Sequence, residues 1–134
     1  MLIGHDDKVR LFKKLVTDDK LSHGYLFFGE PNVGKSTFAL ALANFLERRE
    51  FDSPKGTISE CLFVEPKPAE SKSVDAKEGS IGIDSVRELK HFLSQKPSLS
   101  KRRVAIVSDA NLLTDQAQNA ILKIAEEPPP SGLI

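Results

Sequence analysis

The sequence has 134 residues, 40% hydrophobic and 28% charged, which is the make-up of a chain that folds around one core and not of a disordered or membrane-embedded one. Nineteen Lys plus Arg balance 19 Asp plus Glu, so any surface for nucleic acid or membrane must be a local patch. No apolar run approaches the ~20 residues that span a bilayer, the start turns acidic at Asp6-Asp7, and the single cysteine, Cys61, excludes an internal disulfide and a thiolate zinc site. The expectation is a cytoplasmic protein with no membrane partner and no zinc.

Val9, Phe12, Leu15 and Val16 recur at helical spacing, with Asp6 and Asp7 placed to cap the helix start. Tyr25-Leu26-Phe27-Phe28 is a continuous apolar run that fits a buried strand. From Lys35 to about Arg48, Phe38, Leu42, Phe45 and Leu46 form one helical face, and Ala39, Ala41 and Ala43 suit close packing on a sheet. Cys61-Leu62-Phe63-Val64 reads as a second strand, stopped by Pro66 and Pro68. Residues 66–80 are too polar and too long for an ordinary connection and predict a mobile loop or insertion.

Asp84 and Ser85 open a third helix, with Ser85 and Glu88 in capping-box spacing and Val86, Leu89 and Leu93 inward; Pro97 closes it. Val104-Ala105-Ile106-Val107 is a third apolar strand. A last helix runs from Asp115 to Glu126 behind a capping Thr114, and Leu133-Ile134 begins another strand. Strands alternating with helices predict βαβ units, a mostly parallel sheet and a three-layer α/β fold with ligands at the carboxyl ends of the strands.

Gly29-Glu30-Pro31-Asn32-Val33-Gly34-Lys35-Ser36 satisfies every fixed position of G-x-x-x-x-G-K-[ST], directly after an apolar strand and before an amphipathic helix. The pattern predicts a triphosphate site, with ATP the expected ligand. Gly29 and Gly34 let main-chain amides, including those of Asn32 and Val33, wrap a polyanion. Lys35 places an ammonium on the outer phosphates, Ser36 supplies a hydroxyl to Mg²⁺, and Thr37 supports the α-phosphate side.

P-loop hydrolases place a carboxylate at the end of a neighbouring strand for Mg²⁺, often followed by a Glu that activates water. Here Ser108 takes the magnesium-associated position and Asp109 the water-activating one. In a register one residue later, Asp109 is the metal partner and Ala110 leaves the base position empty. A serine carries no charge, and Asp is shorter than Glu by roughly 1.5 Å. Since a shift of ~1 Å can cost about a hundredfold in rate, either register predicts slow or absent hydrolysis with binding retained. The plainer alternative is that Asp109 merely ends a strand or begins a turn.

Leu21-Ser22-His23-Gly24-Tyr25-Leu26-Phe27, the P-loop, Ile81-Gly82-Ile83-Asp84-Ser85-Val86-Arg87-Glu88-Leu89 and Asn119-Ala120-Ile121-Leu122-Lys123-Ile124-Ala125-Glu126-Glu127-Pro128-Pro129 follow one another in the order found in bacterial clamp-loader subunits of the AAA+ superfamily. The chain resembles that family over nearly its whole length, and the last segment resembles the Asn-Ala-Leu-Leu-Lys-x-Leu-Glu-Glu-Pro-Pro signature of DNA polymerase III delta prime and gamma/tau. Ser108-Asp109-Ala110 in place of an Asp-Glu pair favours delta prime over gamma/tau. The resemblance implies an ATP-binding subunit in a hetero-pentamer with gamma/tau and delta subunits, loading a sliding clamp on primed DNA. The alternative is a hydrolysing gamma/tau-like motor or another AAA+ remodelling ATPase.

Two departures qualify the resemblance. Relatives often carry a four-cysteine zinc module where this chain has only Cys61, so zinc is not carried over. The family's Ser-Arg-Cys motif, helical lid and collar lie downstream of the Glu-Glu-Pro-Pro segment, so residues 1–134 are expected to be an N-terminal piece of an AAA+ domain. Among smaller signals, His5 could contact the base but fits better as a helix-start residue, and His23 and His91 are expected to be structural or solvated. Lys101-Arg102-Arg103 is expected to be a solvated loop, and Glu126-Glu127 to shape a helix end.

Overall fold

The structure, a computed structural model, describes residues 4–67 and 79–134. In chain order the elements are α1 (Asp6–Thr17), α2 (Lys35–Arg48), β1 (Cys61–Val64), α3 (Ile83–Ser94), β2 (Arg103–Val107), a short 3-10 turn over Ala110–Leu112, α4 (Asp115–Glu126) and β3 (Gly132–Leu133). The strands lie in the order β1-β2-β3, all parallel, with Cys61 opposite Val104 and Arg103 opposite Gly132.

Alternation along the strands divides the core between two faces, as a pleat of period two requires. Val104, Ile106, Cys61 and Leu133 pack with Phe12 of α1 and Phe38, Leu42 and Leu46 of α2. Ala105, Val107, Leu62, Val64 and Ile134 turn the other way, onto Val86, Leu89 and Leu93 of α3 and Ala117 and Ile124 of α4. Helices therefore cover both faces, giving the predicted three-layer α/β arrangement. The first face is aromatic: Phe12, Phe27 and Phe38 meet edge to face at 5.4–6.0 Å between ring centroids, each contact adding about 0.5–1.5 kcal/mol beyond area burial.

Several local expectations differ. The run at 25–28 does not form a ladder strand. The Tyr25 amide donates to the Ile134 carbonyl at 2.8 Å and the Ile134 amide to the His23 carbonyl at 2.9 Å, which is the exchange of a parallel pair beside β3. Tyr25 and Phe27 still pack on the aromatic face, while Leu26 and Phe28 are 77% and 87% exposed.

Asp6 and Asp7 do not cap α1. His5 holds the cap position, and the two acids sit in the first turn, where the helix dipole favours them. The capping box at Ser85 and Glu88 does not form either: α3 begins earlier, behind Gly82, because Ile81 and Ile83 are buried and draw the start inward, leaving Ser85 buried inside the helix. Thr114 does cap α4, its hydroxyl accepting from the Ala117 amide at 3.2 Å. The predicted insertion lies largely outside the described residues, though its two ends meet, with the Lys67 amide donating to the Ser80 carbonyl at 3.1 Å.

Candidate functional site

The loop 29–36 leaves the carboxyl end of the segment beside β3 and enters α2. Gly29 at φ 147°, Asn32 at φ 62° and Gly34 at φ 89° lie in the left-handed region, and the hand alternates across Asn32-Val33-Gly34. Such alternation turns successive amides to one side and makes a concave nest for an anion. Gly34 also occupies the cap position of α2, so the free amides and positive dipole end of a 14-residue helix face the same place.

Lys35 completes this arrangement. Its ammonium donates to the carbonyls of Gly29 at 2.9 Å and Glu30 at 2.7 Å, tying the end of the loop to its beginning. An ammonium has three N–H bonds, so one remains for a ligand oxygen. Ser36 and Thr37 stand exposed on the first turn of α2. On the helix side, the His5 ring meets the loop, its Nε2 lying 2.9 Å from the Val33 carbonyl.

The second predicted group sits at the carboxyl end of β2. Because all strands are parallel, this end shares an edge of the sheet with the loop, and β3 stands between them. The Ser108 amide continues the ladder to the Val64 carbonyl at 2.9 Å, and its hydroxyl donates to Asp109 Oδ2 at 3.3 Å. Asp109 is exposed, adopts φ 53° and ψ 55°, and begins the 3-10 turn, its carbonyl accepting from Leu112. Asp tolerates this left-handed conformation better than most residues. The β2 strand therefore ends before Asp109, and the chain turns there.

Among the described residues no group of three or more His, Cys, Asp or Glu side chains is placed to hold a metal ion. The basic triplet is not simply solvated: Arg102 donates to the Leu21 carbonyl at 2.8 Å and approaches the Gly132 carbonyl at 3.4 Å, while Arg103 lies 4.7 Å over the Phe92 ring. His23 bonds the Gly132 carbonyl at 3.0 Å, and the exposed His91 pairs with Gln95. Glu126 ends α4 and Glu127 caps it.

Sequence reasoning missed a buried acid. Glu60, 3% exposed, accepts from the amides of Ser98, Leu99 and Ser100 and from both serine hydroxyls. Burial alone would raise its pKa, but these donors outweigh burial and bring it down to about 2. Beside it, burial first and Glu47 second push the Cys61 thiol up to about 12.

Residues 4–134 match the sequence profile of the family described as "DNA polymerase III, delta subunit". The chain belongs to the bacterial DNA polymerase III clamp-loader family of AAA+ proteins. It is 32% identical over 129 residues to the gamma/tau subunit of Mycoplasma pneumoniae, covering 95% of this chain and 19% of that protein. It is also 32% identical over 126 residues to the delta′ subunit of Escherichia coli K12, covering 88% of this chain and 38% of that one. A gamma subunit-related protein from Thermotoga maritima superposes with a TM-score of 0.67 at 29% identity, over 92% of this chain and 37% of its own. The chain thus spans well under half the length of these relatives. Clamp-loader kinship extends to both subunit types at equal identity, and the longer gamma/tau match does not favour the delta prime preference drawn from Ser108-Asp109-Ala110.

Proposed function

We propose that residues 1–134 form part of an AAA+ ATPase domain that binds ATP with Mg²⁺ in the nest at Gly29–Ser36, within a clamp-loader subunit. The observation that carries this reading is the Lys35 ammonium, held by two loop carbonyls with one N–H left over. A ligand phosphate then meets a cradle already shaped, without the cost of ordering it. Amides from Asn32 to Lys35 would receive the phosphates, Ser36 would give its hydroxyl to Mg²⁺, and Thr37 would flank the α-phosphate. The metal would supply charge neutralisation between the outer phosphates.

In the assembly this implies, ATP acts as a conformational ligand that favours one state of a hetero-pentamer with gamma/tau and delta subunits, which places a sliding clamp on primer-template DNA. A gamma/tau-like, hydrolysing subunit is the second reading, supported by the longer match to the gamma/tau relative. Against brisk hydrolysis stand the uncharged Ser108 and an Asp109 placed in a left-handed turn past the strand. Titration with a fluorescent ATP analogue tests the site: Lys35→Ala is expected to weaken binding at least tenfold, about 1.4 kcal/mol, and equal affinity would remove the proposal. Turnover with and without sibling subunits separates the two readings, since rapid magnesium-dependent hydrolysis points to the motor.

A further inference from the structure

We propose that His5 is a positioning residue for the phosphate cradle, holding the Val33–Gly34 peptide in the orientation that binds. The inference rests on the nucleotide site proposed above and deepens it.

The Val33 carbonyl accepts from His5 Nε2 at 2.9 Å across 28 residues of sequence. A carbonyl can only accept, so Nε2 carries a proton. Nδ1 is buried and has no hydrogen-bond partner among the described residues, which suits the Nε2–H tautomer better than a ring with a second N–H at Nδ1. The ring is held edge-on against Phe38 of α2, centroids 6.1 Å apart at 87°. The His5 backbone meanwhile starts α1, its carbonyl accepting from the Val9 amide at 2.9 Å. One residue therefore joins the start of α1, the top of the loop and the first turns of α2.

The consequence lies in the peptide between Val33 and Gly34. No peptide bond among the described residues is cis, and the carbonyl and amide of a trans peptide point in opposite directions. With the Val33 carbonyl drawn to His5, the Gly34 amide is turned away from α1. Between Asn32 at φ 62° and Gly34 at φ 89° the chain has unusual freedom, because glycine accepts either hand. A flipped peptide would aim a carbonyl where an amide should be and set a negative dipole against a phosphate. His5 selects against the flip without touching the ligand.

The test compares ATP and inorganic tripolyphosphate, which has no base, as ligands of the full chain. His5→Ala is expected to weaken both by the same factor, roughly five- to tenfold, the worth of one hydrogen bond. His5→Gln, whose amide N–H can reach the same carbonyl, is expected to recover most of that loss. A loss confined to ATP would make His5 a base contact and overturn the proposal, as would unchanged affinity in His5→Ala. Should His5→Ala fail to fold, long-range proton–nitrogen NMR of the unmutated protein decides: the Nδ1–H tautomer for His5 overturns the assignment, and the Nε2–H tautomer with binding retained by His5→Gln upholds it. Failure of the nucleotide site itself shows separately, as Lys35→Ala binding ATP as well as the unmutated chain.

Discussion

Glu60 offers a quantitative test of how this fold is held. Its two carboxylate oxygens share five donors from residues 98–100, so Glu60→Gln replaces one acceptor oxygen with an NH₂ group that faces donors. The magnitude follows from linkage. An ordinary Glu near 4.5 brought down to about 2 corresponds to about 3 kcal/mol of stability at neutral pH. Leaving a buried hydrogen-bonding group without its partner costs a comparable amount, about 1–3 kcal/mol.

The sign is that of a depressed acid. The stabilisation is complete above the unfolded value and is lost as pH falls through the folded one. Urea unfolding at pH 7 should therefore separate the two proteins by about 3 kcal/mol, and at pH 3 the gap should shrink to roughly 1 kcal/mol. A gap below about 1 kcal/mol at pH 7, or one that does not change between the two pH values, would refute the charge-clasp reasoning. Because the clasp sits at the amino ends of β1 and β2, opposite the P-loop edge, the variant's ATP affinity at neutral pH should stay within about twofold of the unmutated chain.

Two further outcomes follow from the same structure. Thr114→Ala removes the side-chain acceptor for the Ala117 amide and should lower stability by about 1 kcal/mol in chemical denaturation, whereas Thr114→Ser, which keeps the hydroxyl, should cost markedly less. Cys61, with its thiol pushed up to about 12, should resist alkylation by iodoacetamide at pH 8 in the native protein and react at an ordinary thiol rate once denatured; rapid native labelling would contradict its burial.

Much of this protein is legible along the chain because the signals are local. The helix α2 and strands β1 and β2 follow from apolar periodicity, Thr114 from its place before α4, and the loop at 29–36 from glycines and lysine at set spacing between a strand and a helix. Each of these is decided by neighbours within a few residues, where backbone sterics and hydrogen-bonding reach act directly.

What depended on the tertiary structure was every contact between distant segments. The pairing of Tyr25 with Ile134 joins segments more than a hundred residues apart. Glu60 finds its donors about 40 residues further on, Arg102 reaches back to Leu21, and His5 reaches forward to Val33. No periodicity marks such pairs, because hydrogen bonds across the fold depend on where the packed sheet and helices bring the chain together. The proposed anion cradle is thus written in one stretch of sequence, while the groups that steady it are chosen by how distant segments pack together.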